Sequence, residues 1–168
     1  MIELEITEGQ KCKAFAMYDF DTLKDSITDG KSKLWGALGE IVVHDFFNDQ
    51  GYETEYKPTK DFDLVISTFT VDVKTKRTTV KPRMNYWATI AATSKHQRCD
   101  MYFFVRILKN LSTAYLLGYL PSDTFWEVAK FYKKGEIDPL GNGEWRFAAD
   151  CYNVKMEDLY AFKEADNQ

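Results

Sequence analysis

Cysteine and histidine are scarce in this sequence, and their scarcity excludes several kinds of site. The chain of 168 residues has three cysteines, Cys12, Cys99 and Cys151, and two histidines, His44 and His96. Three cysteines so far apart form neither a disulfide framework nor a zinc knuckle. Two histidines are too few for a site built on several imidazoles. Any metal site is therefore expected to rely on oxygen ligands.

Long apolar runs and linker-like segments are also absent. No stretch approaches the roughly 18 apolar residues that cross a bilayer, and the acidic start MIELEITEGQ lacks the basic and apolar regions of a secretion signal. We therefore expect a cytoplasmic protein without membrane association. Hydrophobic residues make up 45% of the chain, and no segment resembles a linker, so residues 1–168 are expected to form one domain.

Acidic residues are missing from one long segment, although the whole chain has a net charge of −4. No Asp or Glu occurs between Val73 and Cys99, a segment that we call the basic window. Its cationic residues are Lys74, Lys76, Arg77, Lys81, Arg83, Lys95 and Arg98. A concentrated positive segment in an acidic protein favours contact with a nucleic-acid backbone, and a solvated surface is the alternative.

Hydrophobic periodicity predicts the order of helices and strands. A helix is expected to begin at its cap, Ser32, and to end at Gly51, where glycine adopts a left-handed conformation. Three short strands are expected within residues 52–75, and a strand pair within residues 101–120. Further helices are expected over residues 85–98 and 123–135, with shorter strands near residues 2–6 and 145–154. This order predicts an α/β fold with a mixed central β-sheet flanked by α-helices.

Charged residues interrupt two of the predicted strands. Asp63 precedes the apolar run LVI, and Asp72 follows FTV and shares a strand face with Lys74. Because an unpaired buried charge costs several kcal/mol by rough estimate, these groups need a partner. Clustered carboxylates select Mg²⁺ or Mn²⁺, and such ions complete their coordination with water and substrate phosphate. A phosphodiester is therefore the expected substrate class, with Lys74 orienting the attacking water.

The order of these residues resembles the PD-(D/E)XK nuclease superfamily, whose fold is called restriction-endonuclease-like. The resemblance covers residues 33–120, with Asp63 opening one strand and Asp72-Val73-Lys74 on the next. It departs from the family name at Phe62, where proline often stands. The resemblance implies catalytic roles for Glu40, Asp63, Asp72 and Lys74, and metal ligation by Glu40, Asp63, Asp72 and Val73.

Glu40 also has a reason to lie at the site that is independent of the resemblance. Gly36 and Gly39 leave one helix surface bare beside it, so this helix can approach the sheet closely. A solvated helix glutamate is the alternative. For Asp63, the alternative ligand is Asp61, two residues earlier. His44 lies one helical turn after Glu40 and either contacts the site or belongs to the helix flank.

The basic window supplies the candidate DNA contacts, namely Lys76, Arg77, Lys81, Arg83, Lys95 and Arg98. Gln97 is a further candidate for phosphate contact or for a solvated helix end. Met84, Tyr86 and Trp87 lie among these residues, and core packing is favoured over base stacking for all three.

We therefore expect a metal-dependent deoxyribonuclease, an endonuclease that uses Mg²⁺ or Mn²⁺. The alternative is a nucleic-acid-binding or interaction domain of the same fold that does not hydrolyse its ligand, and a coincidental motif in a structural domain is a third reading. A homodimer would present one active site to each strand of a duplex. The small size would suit a phage or a mobile element.

Overall fold

The structure, a computed structural model, describes residues 1–17, 31–141 and 143–162. Three α-helices and nine β-strands form this part of the chain, and two short 3₁₀ segments, Ala92–Ser94 and Met156–Asp158, accompany them. The helices are α1 (Glu8–Met17), α2 (Lys31–Asp49) and α3 (Ser122–Val128). The strands are β1 (Ile2–Glu5), β2 (Thr54–Tyr56), β3 (Leu64–Ile66), β4 (Phe69–Thr78), β5 (Trp87–Ala91), β6 (Met101–Leu108), β7 (Thr113–Pro121), β8 (Lys130–Tyr132) and β9 (Cys151–Lys155).

The larger sheet is mixed, as the sequence predicts. Its strand order is β1-β7-β6-β4-β3-β2. Strands β2, β3 and β4 form the expected antiparallel meander, and β6 and β7 form the expected antiparallel pair. Strand β4 pairs in parallel with β6, which places Asp72 beside Tyr102 and Lys74 beside Phe104. The charged residues of β4 therefore lie in the middle of the sheet.

The two faces of this sheet are covered by different layers. Helices α1 and α2 pack on one face, where Val71 and Val73 of β4 join the core with Leu38 and Val43 of α2. On the other face, a second sheet of order β5-β9-β8 packs together with α3. The chain is thus a mixed α/β protein, and a small sheet occupies much of the face for which helices were predicted.

The predicted helix over residues 85–98 is wrong. Residues Trp87–Ala91 form β5, which pairs antiparallel with Cys151–Lys155 of β9, and the chain then makes only a 3₁₀ turn. The alanines favour a helix locally, but pairing with β9 and burial of Trp87, Ala88 and Ile90 stabilise the strand. None of the described helices is long and apolar enough to cross a lipid bilayer.

The remaining helices also differ in part from the prediction. The helix expected over residues 123–135 ends at Val128, because the chain there joins β8 and pairs with β9. Helix α1 was not predicted, and it packs against α2 with Ala14 fully buried. Helix α2 matches the prediction, except that it begins at Lys31 and so contains the predicted cap residue, Ser32. Gly51 has a φ of 82°, the expected left-handed conformation.

Candidate active site at the divergence of β3 and β4

Asp63 lies where strands β3 and β4 separate. Strand β3 pairs with β4 only from Leu64 onward, and just before it the Asp63 main-chain N–H donates to the Val71 carbonyl at 2.9 Å. The Asp63 carboxylate oxygen Oδ2 then accepts the Val73 N–H at 2.8 Å. A side chain therefore takes the place of a strand partner at Val73. Because a strand residue directs its N–H and C=O to the same side, the Val73 carbonyl faces this opening too.

Asp72 and Lys74 share one face of β4, as the strand alternation predicts. Asp72 is only 3% exposed, and its Oδ2 lies 2.8 Å from the Lys74 ammonium nitrogen Nζ. This contact is an ion pair without hydrogen-bond geometry, so the buried Oδ2 has no hydrogen-bond donor among the residues that the structure describes. Lys74 Nζ also donates to Gln97 Oε1 at 2.8 Å and lies 5.9 Å from the centre of the Tyr102 ring. The ammonium group is thus held from three directions.

A close approach of α2 to β4 brings Glu40 to the same region. A Cβ atom at Gly39 would lie 1.9 Å from Thr75 Oγ1, so only glycine fits where the helix crosses the strand. A Cβ atom at Gly36 would meet only Glu40 Oε1, at 3.9 Å, and this glycine is not required for the approach. Glu40 Oε2 accepts a hydrogen bond from the Tyr56 hydroxyl at 2.9 Å.

Burial and neighbouring charges raise the pKa of two of these carboxyl groups, Glu40 and Asp63. Burial is the main cause that raises the pKa of Glu40, and the negative charge of Asp72 adds to it, while the Tyr56 hydroxyl and Lys74 act in the opposite direction. Burial also raises the pKa of Asp63, to about 8, with repulsion from Glu40 and then Asp72 as the next causes. The Val73 N–H opposes this shift. Glu40, Asp63 and Asp72 therefore share one electrostatic environment, which also contains the Lys74 ammonium.

The chemistry of these groups fits a hard divalent cation. Carboxylate and carbonyl oxygens are the ligands that Mg²⁺ and Mn²⁺ prefer, and Asp72 Oδ2 is buried without a hydrogen-bond donor from any described residue. A cation would also relieve the repulsion that raises the pKa of Asp63. The groups do not form a closed ligand cluster, since no set of three or more His, Cys, Asp and Glu residues within the described ranges has the geometry to hold a metal ion.

The cations of the basic window are distributed around the site. Lys76 follows Lys74 on the same face of β4, whereas Arg77 points to the opposite face and is exposed. Beyond the end of β4, Lys81 pairs with Glu3, and Arg83 is exposed. Near the start of β4, the exposed Lys95 lies 5.3 Å from the Tyr152 ring centre, and the main-chain N–H of the exposed Arg98 donates to Asp61 Oδ1. The cations thus lie on the strand that carries Lys74 and beyond both of its ends.

Three other residues considered for the site have other contacts within the protein. Asp61 accepts the Arg98 N–H at 3.2 Å, so its carboxylate fixes the loop after β5. His44 Nδ1 lies 3.1 Å from Asp45 Oδ1, within the flank of α2. Gln97 was considered for phosphate contact, but its side chain joins Lys74 to the Lys60 carbonyl, which lies 3.2 Å from Gln97 Nε2.

Sequence reasoning missed the positions of Tyr56, Gln97 and Arg106. Tyr56 is exposed on a short strand and has no neighbouring motif that could indicate its bond to Glu40. Arg106 did carry a signal, because it is a single charged residue within the apolar run MYFFVRIL. A charge in the middle of such a strand needs a reason, by the same argument that identified Asp72.

Comparisons with known proteins add no family assignment. No protein-family model matches the chain, and no curated protein matches it. The residues of the site are therefore the basis for a proposed function.

Proposed function

We propose that the chain is a metal-dependent deoxyribonuclease of the restriction-endonuclease-like fold, which hydrolyses phosphodiester bonds. The observation that carries this proposal is the grouping of Glu40, Asp63 and Asp72 beside Lys74 at an opening in the sheet. Three carboxyl groups in one electrostatic environment, of which Asp72 is buried and the other two are half-buried, cost folding free energy, which a purely structural site has no reason to retain. A cation and a phosphate together would compensate these charges.

In this proposal the metal would be held by Glu40, Asp63, Asp72 and the Val73 carbonyl, whose oxygens would have to close around it. Bound there, Mg²⁺ or Mn²⁺ would supply positive charge and Lewis acidity at the scissile phosphate. The Tyr56 hydroxyl fixes the orientation of Glu40, and the Val73 N–H fixes that of Asp63. These bonds hold two carboxylates toward the opening before any cation arrives, which lowers the reorganisation needed for binding.

Lys74 supplies a positive charge in addition to that of the metal in the proposed mechanism. An ammonium group has three donors, of which Gln97 engages one, while Asp72 lies at ion-pair distance without hydrogen-bond geometry. Another donor would contact a phosphoryl oxygen or the attacking water and stabilise the negative charge that develops during attack. The cations beyond both ends of β4 would contact the DNA backbone on each side. A homodimer would bring two such sites to a duplex.

Incubation with supercoiled, linear, single-stranded and branched DNA tests this function. Cutting is expected with Mg²⁺ or Mn²⁺ and not in chelator. The control is Asp72→Asn, purified in the same way, which should bind DNA without cutting it and so excludes a contaminating nuclease. Binding without cutting by the unmodified chain in every metal would instead support the alternative, a binding domain of this fold.

A further inference from the structure

Two cations lie side by side on the face of the sheet that carries Lys74. Lys76 of β4 is the direct parallel partner of Arg106 of β6, so their side chains project from neighbouring positions. Neither of them forms an ion pair with a carboxylate among the described residues. Like charges at directly opposite positions destabilise a sheet. An anionic ligand bound beside Lys76 and Arg106 would offset this repulsion.

Arg106 is the more buried of the two, with 9% of its surface exposed. Its Nη2 donates to the Trp87 carbonyl at 3.0 Å, but its Nε is buried and has no hydrogen-bond partner within the described part of the chain. The guanidinium also lies 5.7 Å from the centre of the Tyr86 ring. A buried guanidinium donor without an acceptor costs free energy, which a ligand oxygen would recover.

Lys76 keeps contact with water, yet the surrounding protein removes enough solvent to lower its pKa. The neighbouring Arg106 charge lowers this pKa further, while Cys151 and Asp138 oppose the shift. Asp138 does not neutralise the pair by direct contact, because its Oδ1 accepts hydrogen bonds from Trp87 Nε1 and the Leu140 N–H, each at 2.9 Å. The two cations therefore face a space with an excess of positive charge.

This space is a cavity with aromatic walls. It has a volume of about 420 Å³, and its lining includes Lys76, Arg106, Tyr86, Trp87, Asp138 and Trp145. Trp145 is 68% exposed, which is unusual for so large an apolar side chain. A second cavity of about 310 Å³ shares Lys76, Trp87 and Arg106 with the first and also includes Lys74. The two cavities adjoin, so the aromatic cavity continues the candidate active site.

From this arrangement we infer that Lys76 and Arg106 bind the phosphate next to the scissile one, and that Tyr86 and Trp145 contact the attached base. The inference rests on the proposed nuclease function. Residues two apart on a strand are separated by about 6.6 Å, so Lys74 and Lys76 are spaced to contact consecutive phosphates. A base can enter a cavity beside aromatic rings only after it leaves the duplex stack. The substrate class is therefore DNA with an unpaired nucleotide beside the cut.

Binding of a mononucleotide in chelator tests the cavity without requiring any hydrolysis. Thymidine monophosphate should bind saturably in a titration followed by NMR, and thymidine should bind at least about tenfold more weakly because it lacks the charged group. Lys76→Gln and Arg106→Gln should each weaken nucleotide binding by about tenfold or more. Trp145→Ala, at an exposed position, should weaken it about fivefold or more through lost stacking.

Lys109→Gln is the matched control. Lys109 is exposed just beyond the end of the strand that carries Arg106, so its replacement should leave nucleotide binding unchanged. Nucleotide affinity equal to wild type in a folded Lys76→Gln or Trp145→Ala variant would overturn the inference, and so would the absence of saturable binding by the wild type. The cutting assay is scored separately. Cleavage without nucleotide binding would refute the cavity alone, and nucleotide binding without cleavage in any metal would refute the nuclease function alone.

Discussion

The carboxyl group of Asp63 should make the stability of the metal-free chain strongly dependent on pH. Burial, followed by the charges of Glu40 and Asp72, raises the pKa of Asp63 from 3.8 to about 8. The folded chain therefore holds this proton more tightly than the unfolded chain. Linkage then requires that the stabilising effect of the proton is complete below about pH 4 and is lost as the pH rises through about 8.

The size of this effect follows from the pKa shift. Each pKa unit corresponds to about 1.36 kcal/mol, so the shift of Asp63 sets an upper limit of about 6 kcal/mol on the free energy of unfolding that is lost between these pH values. Asp63→Asn removes the titrating group and keeps an oxygen that can accept the Val73 N–H. In chelator at pH 8 the variant should be more stable than the wild type by about 2 kcal/mol or more, and at pH 5 the difference should be small.

Urea unfolding of both proteins at pH 5 and pH 8, in chelator, measures this difference directly. The control is Asp61→Asn, a neutralised carboxylate two residues away that bonds to the Arg98 N–H, and this variant should keep the wild-type dependence on pH. Added Mn²⁺ should then stabilise the wild type more than Asp63→Asn by mass action. If the wild type and Asp63→Asn lose the same stability between pH 5 and pH 8, the three carboxyl groups do not share one site.

Three other changes test separate parts of the site. Lys74→Ala should abolish most turnover with Mg²⁺ or Mn²⁺ while retaining metal binding, because the ammonium is not a ligand; normal cutting by this variant would disprove its role. Gly39→Ala should cost about 1–3 kcal/mol in urea unfolding, since the added Cβ meets Thr75, whereas Gly36→Ala should be neutral or slightly stabilising. Lys81, Arg83 and Arg98 are replaced by alanine, singly and together, and DNA binding is measured by anisotropy over a salt series with Ca²⁺. Each replacement should lower the slope of log affinity against log salt by about one unit. An unchanged slope in the triple variant would mean that DNA approaches elsewhere.

The sequence predicts this fold well where local pattern and burial agree. Helix α2 and the meander of β2, β3 and β4 have periodicities that their packing reinforces, so the positions of Asp63 and Asp72 could be deduced. The helix prediction for residues 85–98 was wrong because alanine-rich segments are compatible with both helix and strand. The partner that decides for a strand, β9, lies more than 50 residues further along the chain. That error also hid the contact of Gln97 with Lys74, since a helix would have directed this side chain elsewhere.

The candidate site residues also differ in whether the local sequence could identify them. Glu40 could be proposed from the glycines beside it, and Gly39 does allow the close approach of α2 to the sheet. The bond from Tyr56 to Glu40 depends on where β2 lies in space, which no local pattern specifies. Arg106 was visible as an isolated charge in an apolar strand, but only the parallel register reveals that it lies beside Lys76.

The parallel pairing of β4 with β6 has a consequence for how the site forms in time. Parallel strands need a long crossover, and here the crossover includes most of the basic window and all of β5. The ion pair of Asp72 with Lys74 joins residues two apart in the sequence, whereas the contact of Lys74 with Gln97 requires closure of this loop. Loop closure is slow because the chain loses conformational entropy before the pairing of β4 with β6 compensates for it. The complete site should therefore assemble after the main folding barrier. A cation that binds only the assembled site would then slow unfolding and leave the folding rate unchanged.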